Sequence, residues 1–146
     1  MNELFSHVLV ALDGSPQSDH ALDMACDLVR ESHGELTLVS VVPHPALVQP
    51  PDSWAVSPVV ASDTPFFEAL LQSRKERAEA RGAPVVRTLL LEGHVVDSIL
   101  ERLESHPPSL LVVGSRGLST ARRLLLGSVS DALVHHARCP ILLIKE

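Results

Sequence analysis

The sequence predicts a single α/β domain, spanning residues 1–146, in which helices cover both faces of a mostly parallel β-sheet. Its length of 146 residues suits one domain with a sizeable hydrophobic core. Short aliphatic runs are typical of strands that are buried on both faces. Segments with helical spacing of apolar residues separate these runs. Such alternation favours right-handed crossovers between parallel strands, in the order β-α-β-α-β-α-β-α-β.

Five short runs are predicted to form the strands. Four of them are nearly continuous apolar segments, at residues 7–12 (HVLVAL), 36–42 (LTLVSVV), 110–113 (LLVV) and 141–144 (ILLI). The fifth, at residues 85–91 (VVRTLLL), is interrupted by Arg87 and Thr88. All five have the usual length of strands in globular domains.

Four helices are predicted between and after these strands. The first covers residues 15–33, because Ser15 followed by Pro16 is typical of an N-cap with proline at the first helical position. Gly34 is predicted to end it. The second covers residues 65–81 and ends at Gly82, with charged side chains such as Arg74 and Arg77 facing solvent. The third and fourth cover residues 95–104 and a segment that begins near Ser128.

Composition excludes several classes of function. The chain carries a net charge of −6, which argues against broad affinity for nucleic acid or anionic membranes. Aromatic residues make up only 3%, too few for the stacking surfaces of single-strand binders. Cys26 and Cys139 have no metal-ligand spacing. No apolar run approaches the length of a membrane-spanning helix, and no leader peptide is evident, so we expect a cytoplasmic protein.

A proline-rich segment lies between the second strand and the second helix. Residues 43–65 contain six of the eleven prolines and Trp54, the single tryptophan. So many prolines are incompatible with a regular helix or a central strand. Two interpretations are open: a partly ordered excursion held by Trp54, or a lid over a ligand.

The segment from residue 114 to 130 carries the main functional signal. Gly114 and Gly117 follow a strand and permit tight turns and close approach to a ligand. Gly127, Ser128 and Ser130 lie at a helix N-terminus, where unpaired N–H groups attract an anion. The spacing matches neither the dinucleotide fingerprint nor the P-loop. A phosphate-binding site is one interpretation, and a plain turn with an N-cap is the other.

These motifs together resemble the ATP-binding branch of the universal stress protein family. The match is Gly114-x2-Gly117-x9-Gly127-Ser128, and the resemblance covers essentially the whole chain. The opening strand and turn, the fourth strand with its glycine loop, and the closing strand all fit, at residues 7–16, 110–117 and 139–144. The sequence departs from the family at Ser40, where many members have histidine. It also departs at residues 93–95, where Gly-His-Val replaces the common Gly-Asp-Pro.

The resemblance implies a doubly wound sheet of order 3-2-1-4-5 and a nucleotide site at its switch point. Asp13 would lie against the adenosine half of ATP, and the backbone of Val41 would meet the adenine. The ribose and phosphates would be held by Gly114, Gly117, Gly127, Ser128 and Ser130. Arg116 is a candidate to neutralise phosphate charge, and Val129 completes the predicted site. Asp13 has an alternative role as a plain turn residue.

The resemblance also implies a homodimer that pairs through the C-terminal strand at residues 141–144. The preferred functional hypothesis is a nucleotide-binding regulatory protein, and the alternatives are a slow ATP hydrolase and a protein that acts only through protein contacts. No general base and no catalytic triad can be assigned by motif. Magnesium commonly accompanies ATP phosphates, but no protein ligand for it can be named. The adjacent His135 and His136 point about 100° apart on a helix, which favours a surface pair over a metal site.

Overall fold

The computed structural model describes residues 5–43, 63–115 and 127–145. Within them, strands and helices alternate in the predicted order. The elements are β1 (His7–Ala11), α1 (Pro16–Ser32), β2 (Glu35–Pro43), α2 (Thr64–Ala80), β3 (Val85–Gly93), α3 (Val95–Ser105), β4 (Leu110–Gly114), α4 (Ser128–His136) and β5 (Ile141–Ile144). Most of the proline-rich segment, including Trp54, lies outside the described residues, as do Arg116 and Gly117. None of the described helices combines the length and apolarity needed to cross a bilayer.

The five strands form one parallel sheet of order β3-β2-β1-β4-β5. The chain runs outward from β1 to β3, returns across the sheet, and continues from β4 to β5. The strand order therefore reverses between β1 and β4, which pair directly through Val8–Leu110 and Val10–Val112. This confirms the predicted doubly wound topology and its switch point.

Two hydrophobic cores lie on opposite faces of the sheet because successive side chains of a strand alternate between faces. On one face, Val8 and Val10 of β1 belong to a core that includes Leu22 of α1 and Leu71 of α2. On the other face, Leu9 belongs to a core with residues of α3 and α4, namely Ile99, Leu103 and Leu133. The helices therefore cover both faces, as predicted.

The C-terminus of α1 differs from the prediction in its detail. The left-handed residue that ends the helix is His33, at φ 58°, rather than Gly34. Gly34 is needed for a different reason, because a Cβ at this position would lie only 2.0 Å from the carbonyl oxygen of Phe5. This glycine therefore permits the start of β2 to pass close to the residues before β1.

Charged side chains that were predicted to face solvent instead join α1 to α2. Three aspartates spaced one turn apart on α1 meet three arginines of α2. The shortest contacts are Asp19–Arg74 at 2.6 Å, Asp23–Arg77 at 2.7 Å and Asp27–Arg81 at 3.2 Å. Ion pairs this close to solvent contribute little individually, but three in register specify how the two helices align.

Candidate functional site

A cavity of about 380 Å³ opens at the carboxyl edge of the sheet, beside the switch point. This volume is within the range of small-molecule sites. Its lining is mainly apolar and comes from the ends of β1, β2 and β4 and from the starts of α3 and α4. Apolar lining residues include Ala11, Val39, Val41, Val95, Ile99, Val113, Val129 and Leu133.

Seven of the nine residues predicted to form the site line this cavity. They are Asp13, Val41, Gly114, Gly127, Ser128, Val129 and Ser130. The other two, Arg116 and Gly117, lie outside the described residues. Residues more than 100 positions apart in the chain meet here because β1 and β4 are adjacent and parallel, so that both end at the same edge of the sheet.

Asp13 occupies the turn between β1 and α1. Its Oδ1 accepts a hydrogen bond of 2.8 Å from the backbone N–H of Ser15, which sets the carboxylate beside the cavity. The predicted turn role is therefore present. This turn contact leaves the Asp13 carboxylate able to accept further hydrogen bonds, because an ionised carboxylate accepts about four. Asp13 is also the single ionisable side chain among the described residues that line the cavity.

The N-terminus of α4 faces the cavity without a side-chain cap. Gly127 is the N-cap, at φ −58° and ψ 153°, and its carbonyl accepts the first helical bond, from the N–H of Asp131 at 2.9 Å. Within the described chain, the N–H groups of Ser128, Val129 and Ser130 have no partner. Such groups, at the positive end of the helix dipole, are suited to bind an anion.

The two serines of this turn have different roles. The Ser130 hydroxyl is buried and donates a hydrogen bond of 2.6 Å to the carbonyl oxygen of Gly114. This bond connects α4 to the end of β4 and uses the hydroxyl proton. The Ser128 side chain is exposed and has no hydrogen-bond partner in the described chain. Ser128 is therefore the better placed of the two to donate a hydroxyl proton to a ligand.

Gly114 has a packing role that the sequence did not indicate. A Cβ on Gly114 would lie 3.1 Å from both the carbonyl carbon and the Cβ of Gln17 in α1. Contacts this short require the neighbouring backbone to shift. A glycine at the end of β4 therefore permits the first turn of α1 to pack against it, whatever the cavity holds.

Several lining residues were not predicted from the sequence. Ser40 is buried, and its hydroxyl donates to the carbonyl oxygen of Leu12 at 2.8 Å, which joins β2 to the end of β1. Phe67 of α2 contributes an aromatic ring to the cavity and packs edge-to-face on Phe66. The position of Ser40 next to Val41 was an available signal. For Phe67 the available signal was its apolar side chain within the predicted second helix, which indicates burial and not a ligand contact.

No group of three or more metal-ligating side chains occurs among the described residues. His135, near the end of α4, is exposed and instead approaches Asp131 on its own helix, with Nδ1 2.8 Å from the Asp131 carbonyl oxygen.

Comparison with known proteins agrees with the fold. The sequence model of the universal stress protein family matches residues 4–145. A universal stress protein of Thermus aquaticus is 33% identical over 150 residues, covering 97% of this chain and 100% of the relative. A family structure from Burkholderia pseudomallei is 30% identical, with a TM-score of 0.73 and coverage of 99% and 98%. A universal stress protein solved in complex with cAMP is 28% identical, with a TM-score of 0.68 and coverage of 94% of each chain.

Proposed function

The chain belongs to the universal stress protein family, and we propose that it binds an adenine nucleotide, ATP, as a regulatory protein of the stress response. The observation that carries this proposal is the N-terminus of α4, whose first amides have no partner among the described residues and which opens into an apolar cavity at the switch point. Phosphates are suited to the helix N-terminus, and a purine base is suited to the apolar cavity. The related structure in complex with cAMP adds support for an adenine nucleotide.

We assign an orientation to the nucleotide from the polarity of the cavity. The phosphates lie at the amides of Ser128, Val129 and Ser130, where positive potential is greatest. The base occupies the apolar part beside Val41, whose side chain is only 6% exposed. We place the ribose at Asp13, which lines the same cavity and accepts hydrogen bonds from ribose hydroxyls. A carboxylate there also disfavours placing the phosphates at that end.

Binding without efficient hydrolysis is the activity that the described lining supports. Hydrolysis requires a base or a positioned group near the terminal phosphate. The ionisable lining residue in the described chain is Asp13, which belongs to the ribose end in the proposed orientation. Magnesium that accompanies ATP would be held mainly by phosphate oxygens and water, since one carboxylate at the ribose end does not form a cation site.

We also propose that the protein is a homodimer that pairs through β5. This strand is the last of the sheet, and all four of its residues, Ile141–Ile144, are aliphatic and half-buried. An apolar edge strand favours pairing with a second copy. Replacing Leu143 with lysine should weaken the dimer. Sedimentation that shows a monomer at high concentration of the unmodified protein would contradict this proposal.

The decisive experiment identifies and then measures the ligand. Protein purified without added nucleotide is denatured, and mass spectrometry should find adenine nucleotide in the released fraction. Calorimetry with ATP, ADP, AMP, cAMP and adenosine then measures how affinity depends on the phosphates. We expect ATP to bind more tightly than adenosine. Absence of nucleotide in the first measurement, together with no heat of binding for ATP in the second, would reject the proposal and leave a function through protein contacts.

A further inference from the structure

A second cavity, of about 290 Å³, lies at the opposite edge of the sheet. We call it the basal pocket. Its lining comes from the starts of β1, β2 and β3 and from the end of α3, and consists of His7, Glu35, Thr37, Arg87, Arg102, His106 and Pro107. Six residue steps along β1 separate His7 from Asp13, about 20 Å at the usual rise of a strand. The basal pocket is therefore distinct from the proposed nucleotide site.

The charge of the basal pocket is opposite to that of the whole chain. Five of its seven lining residues are ionisable: one glutamate, two arginines and two histidines. With both histidines neutral the lining carries a net charge of +1, and with both protonated +3, whereas the chain carries −6. Four elements bring these groups together, which favours a site for an anion.

The two arginines differ in how much of their charge is already compensated. Arg87 is paired with Glu35, at a distance of 3.4 Å between Nη2 and Oε1. Arg102 is half-buried and has no ion pair within the part of the chain that the structure describes. A partly desolvated guanidinium that lines a cavity and is not paired with a carboxylate is suited to hold a phosphate through two parallel hydrogen bonds.

His7 adds a group whose charge responds to such a ligand. Its backbone is held rigidly, since His7 and Ser109 exchange hydrogen bonds of 2.9 and 2.7 Å. Its Nε2 lies 3.0 Å from the Thr37 hydroxyl oxygen. Burial lowers the pKa of His7 below its usual value. Glu35 of β2 opposes this effect, whereas Arg102 of α3 and Arg87 of β3 reinforce it. His106, the residue that follows α3, also lines this pocket.

We propose that the basal pocket binds a phosphate group, either inorganic phosphate or the phosphate of a small ester, with Arg102 as its main contact. His7 and His106 strengthen binding when they are protonated, and Glu35 weakens it by repulsion and by occupying Arg87. The cavity is larger than a bare phosphate ion, so a small organic portion also fits. This site requires no nucleotide at the other edge of the sheet.

The test follows the ring signals of His7 and His106 by NMR, because they report locally on the basal pocket. Inorganic phosphate and glycerol 3-phosphate are titrated separately at pH 7 and constant ionic strength. Saturable shifts are expected, and tighter binding of the ester would identify an ester as the ligand, whereas equal affinities would indicate free phosphate. Shifts that grow linearly without saturation for both compounds would overturn the proposal.

Three variants distinguish specific binding from general attraction. Arg102→Gln should weaken binding about 10-fold, since a hydrogen-bonded charge is lost. Glu35→Gln should tighten it about 3-fold, an opposite effect that damage to the fold would not produce. Arg138→Gln removes the same charge from an exposed position that does not line the pocket, so it should leave affinity unchanged. Equal losses in Arg102→Gln and Arg138→Gln would reject the assignment.

The pH dependence of anion binding is measured with sulfate, because sulfate remains a dianion between pH 5 and 8. An anion in the pocket favours the imidazolium form, so saturating sulfate should raise the pKa of His7. By linkage, sulfate affinity should then fall as the pH rises through that pKa. A His7 pKa that saturating sulfate does not change would contradict the proposal.

Discussion

The helices α1 and α4 follow the adjacent strands β1 and β4 and so begin at the same edge of the sheet, yet they differ in how their amides are satisfied. At α1, the first helical residue is Pro16, which has no N–H, and Ser15 Oγ accepts from the N–H of Ser18 at 3.1 Å. At α4, the N-cap is Gly127, which has no side chain to accept such a bond. Among the described residues, α1 is therefore capped by the chain itself, whereas the first amides of α4 remain available to an anion.

This difference shows that the same sequence pattern at a helix start can serve to cap the helix in one case and to bind a ligand in the other. Both helices begin with a small residue and a serine, and either could be a plain cap. The cap of α1 is reinforced by Asp13, whose carboxylate accepts from the N–H of Ser15. At α4 the N–H of the N-cap Gly127 donates instead to the backbone carbonyl oxygen of Ser115, at 2.7 Å, so within the described residues no side chain reinforces this helix start. We therefore expect changes at α1 to lower stability and changes at α4 to lower nucleotide affinity.

The largest effect is expected from Gly127→Val. The backbone at Gly127 is in a region that any residue adopts, so valine introduces little strain and mainly places bulk at the phosphate end of the cavity. ATP affinity measured by calorimetry should fall by more than about 100-fold, or about 2.7 kcal/mol. Gly127→Ala, as the matched control, should lose less. ATP affinity within a factor of two of the unmodified protein would place the phosphates elsewhere.

A smaller loss is expected from Ser128→Ala, which removes one exposed hydroxyl and retains the backbone amides. A hydrogen bond to a charged group contributes about 1.5–3 kcal/mol, so ATP affinity should fall by about 10-fold to 100-fold. Adenosine affinity should change far less, because adenosine lacks the phosphates. The melting temperature without ligand controls for folding. Equal losses for ATP and adenosine would show that Ser128 does not contact phosphate.

Ser15→Ala is the counterpart at α1 and should affect stability instead. Loss of an N-cap costs about 0.5–2 kcal/mol, which lowers the melting temperature by roughly 2–6 °C in a domain of this size. The folded variant should bind ATP as the unmodified protein does. Thermal melting should therefore detect Ser15→Ala and not Ser128→Ala, whereas calorimetry with ATP should detect Ser128→Ala and not Ser15→Ala. A 10-fold loss of ATP affinity in Ser15→Ala would remove the distinction between the two helices.

The smallest effect is expected from Ser130→Ala, which should lower both stability and ATP affinity slightly. Its hydroxyl donates to Gly114, so its loss should cost about 0.5–1.5 kcal/mol of stability. ATP affinity should fall only about 3-fold, through a small shift of α4. Thermal melting and calorimetry on the same sample compare the two losses. A loss of ATP affinity as large as that of Ser128→Ala would show that the Ser130 hydroxyl contacts the ligand directly.

Much of the candidate site was predictable because it depends on local sequence. Glycine and serine at a predicted helix start, and aspartate after a predicted strand, are short-range patterns with few physical interpretations. Family resemblance then related them to one ligand. Ser130 shows the limit of this approach, since its place in the sequence is as typical of a phosphate contact as that of Ser128. Only the approach of α4 to the end of β4 reveals that its proton is used by Gly114.

The sequence by itself determined the elements and their order, because hydrophobic spacing, caps and breakers act over a few residues. The tertiary structure alone decided which distant groups meet. It brought Asp19 to Arg74 across two helices, placed Gln17 so close to Gly114 that a Cβ there would require a shift, and gathered His7, Arg87 and Arg102 into the basal pocket. Such contacts depend on strand order and register, which set the separation of residues far apart in the chain. No local pattern encodes that separation.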